Sequence, residues 1–233
     1  MTTEPVKMKY FVNNQFVTSK TEKYMECFDP STGDVTHLAP QCTKDEVESA
    51  IAAAKKAYPA WSATPPNKRA QVLFKMKALL DKNLEELTRI VAESEGKKWD
   101  EAMGDVLKVT EVVEFACGIP QLMKGESLMD VSSGYDTVQF KESLGVFAGI
   151  APWNFPAMIP MGWMAPLCIA TGNTFVLKAA SFVPQTVMRI AELWVEAGLP
   201  EGVLNIVTAG RNEAEMLLEH PQLPELALLA PQK

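Results

Sequence analysis

The stretch SLGVFAGIAPWNFPAMIPMGWMAPLCIATGNTFVL, residues 143–177, carries no charged side chain. It exceeds the ~20 apolar residues that a transmembrane helix requires. Prolines and glycines interrupt it, however, and a proline inside a helix removes a hydrogen bond and clashes with the preceding turn. These interruptions are Gly149, Pro152, Pro156, Pro160, Gly162, Pro166 and Gly172. We therefore interpret the stretch as a buried strand, a loop and a buried helix.

Strands and helices alternate from this stretch to the C-terminus. The predicted elements are a strand at Val146–Ile150, a helix at Pro160–Ala170, a strand at Thr174–Leu177, a helix from Pro184 to the stop at Gly198, a strand at Val203–Val207, a helix at 212–219 and an apolar run at Leu226–Ala230. Unbroken apolar strands that alternate with helices predict a parallel sheet covered on both faces. The predicted fold class is α/β.

The N-terminal part differs in pattern. Residues 8–40 read as short strands, with Asn13-Asn14 as a pair that tolerates the positive φ of a tight hairpin turn. Residues 43–124 read as amphipathic helices. The first of these begins at a capping box, in which Thr43 caps the helix and Glu46 reaches back to it.

Composition excludes several classes of function. The 233 residues have a formal net charge of −7, which argues against nucleic acid and against an anionic membrane surface as partners. Neither His37 nor His220 has a metal ligand three or four residues after it, which argues against zinc, and we expect no metal site. The N-terminus lacks the apolar segment of a signal peptide, and this favours a cytoplasmic location.

Ligands bind at the carboxyl ends of strands in open parallel sheets, and two predicted strand ends carry candidate side chains. After Ile150, the Trp153-Asn154 pair places an aromatic ring and an amide that suits a developing oxyanion. An asparagine that satisfies loop carbonyls, beside a tryptophan in the core, is the more common alternative. After Leu177, Lys178 could bind a ribose hydroxyl or phosphate, or it could point to solvent.

The remaining motifs add little chemistry. A strand-loop-helix step occurs at Thr208-Ala209-Gly210, but neither of the common phosphate-loop motifs is present. Reactive thiols need an accessible, electropositive setting, and no cysteine shows one in the sequence. We therefore expect all four cysteines to be structural, namely Cys27, Cys42, Cys117 and Cys168.

Several motifs together resemble the N-terminal, cofactor-binding half of the aldehyde dehydrogenase superfamily. They are Val12-Asn13-Asn14-Gln15-Phe16-Val17, Asp29-Pro30-Ser31-Thr32-Gly33, Glu95-Gly96-Lys97, Gly149-Ile150-Ala151-Pro152-Trp153-Asn154-Phe155-Pro156, Gly172-Asn173-Thr174 and Ala197-Gly198-Leu199-Pro200-Glu201-Gly202-Val203-Leu204-Asn205. Two further segments, residues 113–120 and 154–160, are most similar to the CoA-acylating methylmalonate-semialdehyde dehydrogenase branch.

The resemblance implies an incomplete aldehyde dehydrogenase fold. In it, a Rossmann-like doubly wound parallel sheet follows N-terminal strands and helices. Residues 1–125 and 145–233 would form a partial cofactor-binding domain, residues 126–144 would form an oligomerisation hairpin, and the catalytic domain would be absent. The full-length form would be a homo-oligomer, either a dimer or a tetramer.

The resemblance also implies an activity. A cysteine attacks a small-molecule aldehyde, hydride passes to NAD or NADP, and the thioester is released to water or to CoA, so that a semialdehyde could yield an acyl-CoA. None of the cysteines here matches the family's nucleophile, and its general-base glutamate is also missing, so this chain alone is expected to be inactive. The alternative is a non-catalytic nucleotide-binding or assembly module that pairs with a full-length homologue.

Residue roles follow from the same resemblance. Asn154 would be the catalytic oxyanion donor, and Lys108 would replace the arginine that holds a substrate carboxylate. Ser181 replaces a glutamate that grips the ribose hydroxyls, which weakens NAD binding and admits the 2′-phosphate of NADP. Trp153 stands where the methylmalonate branch usually has phenylalanine. The cofactor-binding set is Ile150, Ala151, Pro152, Trp153, Asn154, Lys178, Ser181 and Gly210.

Overall fold

The computed structural model describes residues 4–221, 223 and 225–228. The strands are β1 (Val6–Lys7), β2 (Tyr10–Val12), β3 (Gln15–Val17), β4 (Tyr24–Phe28), β5 (Val35–Pro40), β6 (Ser127–Ser132), β7 (Tyr135–Val138), β8 (Val146–Ile150), β9 (Thr174–Ala179), β10 (Leu204–Thr208) and β11 (Glu225–Leu228). The α-helices are α1 (Lys44–Ser62), α2 (Pro66–Lys82), α3 (Leu84–Glu95), α4 (Trp99–Ala116), α5 (Ile119–Leu122), α6 (Ala165–Ala170), α7 (Gln185–Ala197) and α8 (Arg211–Glu219), and a π-helix spans Met158–Met164.

The main sheet has six strands in the order β11-β8-β9-β10-β2-β3. Its four C-terminal strands are parallel, and the order β10-β9-β8-β11 reproduces the 3-2-1-4 order of a doubly wound dinucleotide-binding half. The predicted Rossmann-like α/β fold is therefore confirmed. The sheet is nevertheless mixed, because the hairpin β2–β3 adds to β10 in the antiparallel direction.

Side chains of alternate residues on each parallel strand pack on opposite faces of the sheet. On one face, Val176 and Val207 pack in a cluster with α1 and with Leu217 of α8. On the other face, Phe175 and Leu177 belong to a larger cluster that includes α2, α4, α6 and α7. Burying each such side chain stabilises the fold by about 1.5–3 kcal/mol. This arrangement is the reason that these strands carry no polar face.

Helix boundaries follow the sequence signals, with one difference. The Thr43–Glu46 capping box begins α1 as predicted. The single helix predicted at Pro160–Ala170 is instead a π-helix followed by α6, in which the N–H of Ala165 donates to the carbonyl of Pro160. Pro166 then occupies the first turn of α6, where its missing N–H breaks no helical bond.

Two small sheets lie outside the main one. Strands β1, β5 and β4 form one of them, and β6 and β7 form a two-stranded hairpin whose residues are all exposed. The predicted C-terminal apolar run, Leu226–Ala230, overlaps β11, which begins one residue earlier, and its last residues, 229–230, lie outside the described residues. Among the described residues, no helix is long and apolar enough to cross a membrane.

Candidate functional site

The carboxyl ends of β8, β9 and β10 meet at one edge of the sheet. Lys178 of β9 is paired with Ile150 of β8 on one side and with Val207 of β10 on the other. Beyond the last pair, the N–H of Ala151 donates to the carbonyl of Lys178 at 3.1 Å. The loop after β8 and the side chain of Lys178 therefore share one rim, next to the point where the strand order reverses between β8 and β11.

The loop after β8 presents Trp153 and Asn154 at this rim. Ala151 and Pro152 are buried and fix the start of the loop, whereas Trp153 is 51% exposed. The Oδ1 of Asn154 is buried without a hydrogen-bond partner, and the structure shows no hydrogen bond from its Nδ2 to any described residue. The common alternative, a core tryptophan beside an asparagine that satisfies loop carbonyls, is not what these contacts show.

Two charged residues, Lys97 and Asp105, hold the Asn154 loop, and a third, Glu95, pairs with Lys97; the sequence pattern assigned none of them to the site. Lys97 donates to the backbone carbonyl of Asn154 at 2.8 Å and pairs with Asp105 at 3.3 Å and with Glu95 at 3.1 Å. Asp105 also accepts the N–H of Met158 at 2.6 Å. Burial raises the pKa of both carboxyl groups, and the ammonium of Lys97 opposes this rise.

A signal for these residues existed in the sequence. Asp105 falls on the buried stripe of α4 beside Val106 and Val109, where an acid needs a partner. Lys97 follows Gly96, whose φ of +74° ends α3 in the left-handed conformation and turns the chain toward α4. The charge partner of Asp105 could therefore have been sought in this turn.

The ammonium group of Lys178 has no ion-pair partner and the hydroxyl group of Ser181 has no hydrogen-bond partner among the described residues, so neither group serves to hold the fold together. Lys178 is half-buried, and no carboxylate among the described residues pairs with its ammonium group. Burial accordingly lowers the pKa of Lys178. Ser181 is buried three residues later, with its hydroxyl group unpartnered, while its carbonyl accepts from the thiol of Cys27 at 3.4 Å. A cationic donor therefore lies on β9, one position before its end, and a neutral hydroxyl follows the strand at Ser181.

Gly210 lies at the third strand end and caps α8. A Cβ at this position would lie 3.0 Å from the Oε2 of Glu213, so a carboxylate already occupies the N-terminus of this helix. An anion would therefore meet Glu213 there, and Gly210 offers mainly close approach of its backbone.

Lys108 is separate from the rim residues in its contacts. It lies on α4, where its side chain is 52% exposed and pairs with Glu111 at 2.6 Å. Its backbone carbonyl packs near Gly162 of the π-helix. The structure thus brings the Asn154 loop, Lys178 and Gly210 to one edge, and it places Lys108 beside the π-helix that follows the loop.

None of the four cysteines has the setting of a nucleophile. All are free thiols, and all are buried except Cys168, which is partly so. Burial raises the pKa of Cys27 to about 11 and that of Cys42 to about 12, and it also raises the pKa of Cys117 and Cys168. Among the described residues, there is also no group of three or more residues suited to hold a metal ion.

The rim presents chemical groups of the kind that bind a dinucleotide. It joins the reversal point of a doubly wound sheet to an unpaired cation at Lys178, an exposed aromatic ring at Trp153 and an amide at Asn154 without a protein partner. These groups fit a ribose, a flat heterocycle and a developing oxyanion, respectively. A thiol nucleophile is not among the groups at this edge.

Comparison with known proteins gives a consistent result. Residues 16–230 match the aldehyde dehydrogenase family. A malonate-semialdehyde dehydrogenase of Lacticaseibacillus casei is 42% identical over 226 residues, which are 97% of this chain and 46% of that protein. Malonate-semialdehyde dehydrogenase 1 of Geobacillus thermodenitrificans is 42% identical over 232 residues, 100% of this chain and 48% of that protein. The chain thus spans about half the length of the curated relatives it matches.

Solved structures agree with the sequence matches. The methylmalonate-semialdehyde dehydrogenase of Oceanimonas doudoroffii superposes with a TM-score of 0.91 at 38% identity, over 95% of this chain and 45% of that one. A Sinorhizobium meliloti protein in complex with NAD, assigned as a methylmalonate-semialdehyde dehydrogenase, has a TM-score of 0.93 at 36% identity. That match covers 97% of this chain and 46% of the other. The predicted resemblance to this family and to its semialdehyde branch is confirmed.

Proposed function

Because this chain belongs to the aldehyde dehydrogenase family, we propose that it forms the cofactor-binding half of an NAD(P)-dependent enzyme that oxidises a carboxylate-bearing semialdehyde. The observation that carries this proposal is the shared rim, at which Ala151 bonds to Lys178 and aligns the Asn154 loop with the end of β9. The semialdehyde class is taken from the relatives, and NAD is the ligand of the Sinorhizobium meliloti structure.

The residues of this chain would bind and orient the reactants. Lys178 would donate to a ribose hydroxyl, Ser181 would leave room for a 2′-phosphate, and the segment from Ile150 to Trp153 would line the nicotinamide. Bound NAD or NADP would supply the hydride acceptor. The N–H of the Asn154 amide would stabilise the oxyanion that forms on the aldehyde oxygen when a nucleophile adds to the carbonyl carbon, and the loss of one such donor costs about 10²–10³ in rate.

Lys108 would hold the carboxylate of the semialdehyde by exchanging its exposed pairing with Glu111 for the substrate. CoA would be the acceptor of the acyl group, as in the branch that the sequence resembles. The raised pKa values of the four cysteines support the expectation that this chain alone does not turn over aldehyde. A cytoplasmic location belongs to the same proposal and accords with four unpaired thiols.

Calorimetric titration of the chain with NAD and with NADP tests the binding role. Saturable binding of either nucleotide is expected, and the absence of heat with both would contradict the proposal. A second assay follows reduced nucleotide with malonate semialdehyde, with and without CoA. A rate that depends on the chain and disappears when one of its cysteines is replaced by serine would refute the expected inactivity.

The exposed hairpin favours a second candidate, an assembly module. Strands β6 and β7 carry exposed apolar side chains, among them Met129, Val131 and Tyr135, at 52–69% exposure. A two-stranded sheet is marginally stable alone, and exposed apolar patches mark interaction sites. We propose that residues 126–144 form an oligomerisation surface for a second copy or a full-length homologue. Co-purification of the chain with that homologue tests this candidate.

A further inference from the structure

The ammonium group of Lys97 lies among four electron-rich groups under the Asn154 loop. Its Nζ is 2.8 Å from the backbone oxygen of Asn154, 3.1 Å from a carboxylate oxygen of Glu95 and 3.3 Å from one of Asp105. It also lies 4.1 Å from the ring centroid of Phe155, within the range of a cation–π contact. Two carboxylates, one neutral backbone carbonyl and an aromatic face thus surround a single cation. We call these five residues the Lys97 cage.

The cage holds the loop at two points. Lys97 binds the carbonyl of Asn154, and Asp105 binds the N–H of Met158 with its other oxygen. Asp105 is fully buried on α4, and Lys97 follows the fixed left-handed turn at Gly96. The segment 154–158 is therefore tied at both ends to the α3–α4 scaffold, which belongs to the large core cluster.

We propose that Lys97 is a positioning residue that sets the orientation of Asn154 through the charge of its ammonium group. This inference rests on the proposed function only for the role of Asn154 as an oxyanion donor. The Asn154 amide makes no hydrogen bond of its own that would fix it, so its direction depends on the backbone that Lys97 holds. A charge-assisted bond to that backbone is shorter and roughly twice as strong as a neutral one.

The charge, rather than the bulk, of Lys97 is the essential feature. A neutral side chain would leave the buried carboxylates of Glu95 and Asp105 without a cation and the carbonyl of Asn154 without a donor. Removal of one partner from a buried ion pair is strongly destabilising because the remaining charge is uncompensated. The loop would then relax away from these groups, and Asn154 would move with it.

The test uses ¹⁹F NMR of the chain labelled with 5-fluorotryptophan, without nucleotide. The chain has 5 tryptophans, and Trp153→Phe identifies the resonance next to Asn154. In Lys97→Ala the Trp153 resonance should shift and broaden, while the resonances of the core residues Trp61 and Trp194 stay in place. Hydrogen exchange of the segment 154–158 should become at least about tenfold faster, because its anchor is lost.

Chemical rescue separates charge from shape. Propylammonium replaces the atoms that Lys97→Ala removes and should restore the Trp153 resonance, whereas 1-propanol, which is neutral, should not. Lys97→Arg should keep a resonance close to that of the wild type. The matched control is Lys98→Ala, the exposed neighbour, which should leave the resonance unchanged.

Two results would overturn the inference. One is an unchanged Trp153 resonance and unchanged exchange in folded Lys97→Ala, and the other is equal rescue by 1-propanol and propylammonium. If Lys97→Ala also disturbs Trp61 and Trp194, Lys97→Met keeps the aliphatic volume and decides the question by the same resonance. Because no nucleotide is present, a failure here is independent of whether the chain binds NAD.

Discussion

The backbone N–H of Ala151 donates to the carbonyl of Lys178 at 3.1 Å. Ala151 is the residue after Ile150, which forms the last pair of β8 and β9 with Lys178. This bond extends the ladder past the strand end and joins the start of the Asn154 loop to the residue that would hold the ribose. The Asn154 amide and the Lys178 ammonium group therefore lie at one rigid edge of the sheet. The Asn154 loop follows β8, which is paired with β11, and Lys178 lies on β9, which is paired with β10.

Lys178→Met should weaken NAD binding by about tenfold. A hydrogen bond that involves a charged group contributes about 1.5 kcal/mol, which corresponds to that factor. Calorimetry with NAD measures the change. The control is Lys77→Met, which removes a half-buried lysine paired with Asp81 on α2 and should leave the affinity unaltered. Equal affinities of wild type and Lys178→Met would show that Lys178 does not contact the nucleotide.

Ser181→Glu should favour NAD over NADP. The hydroxyl group of Ser181 has no partner, and a carboxylate in its place would accept ribose hydroxyls and repel a 2′-phosphate. We expect the ratio of NADP to NAD affinity to fall by about tenfold or more. Ser181→Gln has the same size without the charge, so a similar fall in that variant would assign the effect to volume.

The parallel part of the fold is readable from the sequence because its strands are buried on both faces. Val146–Ile150 and residues 175–177 are apolar without alternation, and the helix stop at Gly198 separates α7 from the strand that follows it. What the pattern does not contain is the pairing partner of each strand. The addition of β2 and β3 to β10 joins residues almost 200 positions apart and depends on the tertiary fold.

The site was only partly readable for a related reason. The rim residues lie at or just after the ends of strands, and the end of an apolar strand can be located in the sequence. The Lys97 cage joins a turn, a helix and a loop through contacts of side chains with backbone, and no spacing rule links them. The π-helix after the loop is likewise absent from the sequence pattern, because an apolar helical run does not distinguish the bond from Ala165 to Pro160 from that of an α-helix.

Asp105→Ala should destabilise the chain by about 3 kcal/mol. It removes a buried acceptor of the Met158 N–H and one of the two carboxylates that face Lys97. Urea denaturation followed by circular dichroism gives the free energy of unfolding. Asp100→Ala, in the exposed first turn of the same helix, should cost only about 0.5 kcal/mol through the helix dipole. Equal losses in the two variants would contradict a buried network at Asp105.

Glu46 should make the stability of the chain sensitive to acid. Burial by itself raises the pKa of this carboxyl, but donation from the N–H groups of Lys20 and Thr43 and the hydroxyl of Ser19 outweighs burial and lowers it. A carboxyl with a lowered pKa in the folded state stabilises the fold above its ordinary value of 4.5, and the effect is lost as the pH falls through the folded pKa.

The stability difference between wild type and Glu46→Gln should therefore be largest near neutral pH and shrink below pH 4.5. Urea denaturation at a series of pH values measures it. Glu22→Gln, at an exposed position, serves as the control and should show little difference at any pH. If the difference in the free energy of unfolding between wild type and Glu46→Gln stayed constant down to about pH 3, the hydrogen-bonded carboxylate would be excluded as its source.

The hairpin should drive self-association. Leu128 is 59% and Phe140 is 80% exposed, and neither belongs to either of the two hydrophobic core clusters among the described residues. Burial of such side chains against a second copy would gain about 25 cal/mol per Å² of apolar area, whereas one aspartate at each position would place charges inside the contact. The double substitution Leu128→Asp and Phe140→Asp should therefore give a monomer in size-exclusion chromatography with light scattering.

Phe74→Asp, which alters an equally exposed side chain on α2, should leave the oligomer intact. If Phe74→Asp dissociates the oligomer and the hairpin variant does not, the contact lies on the helical face instead.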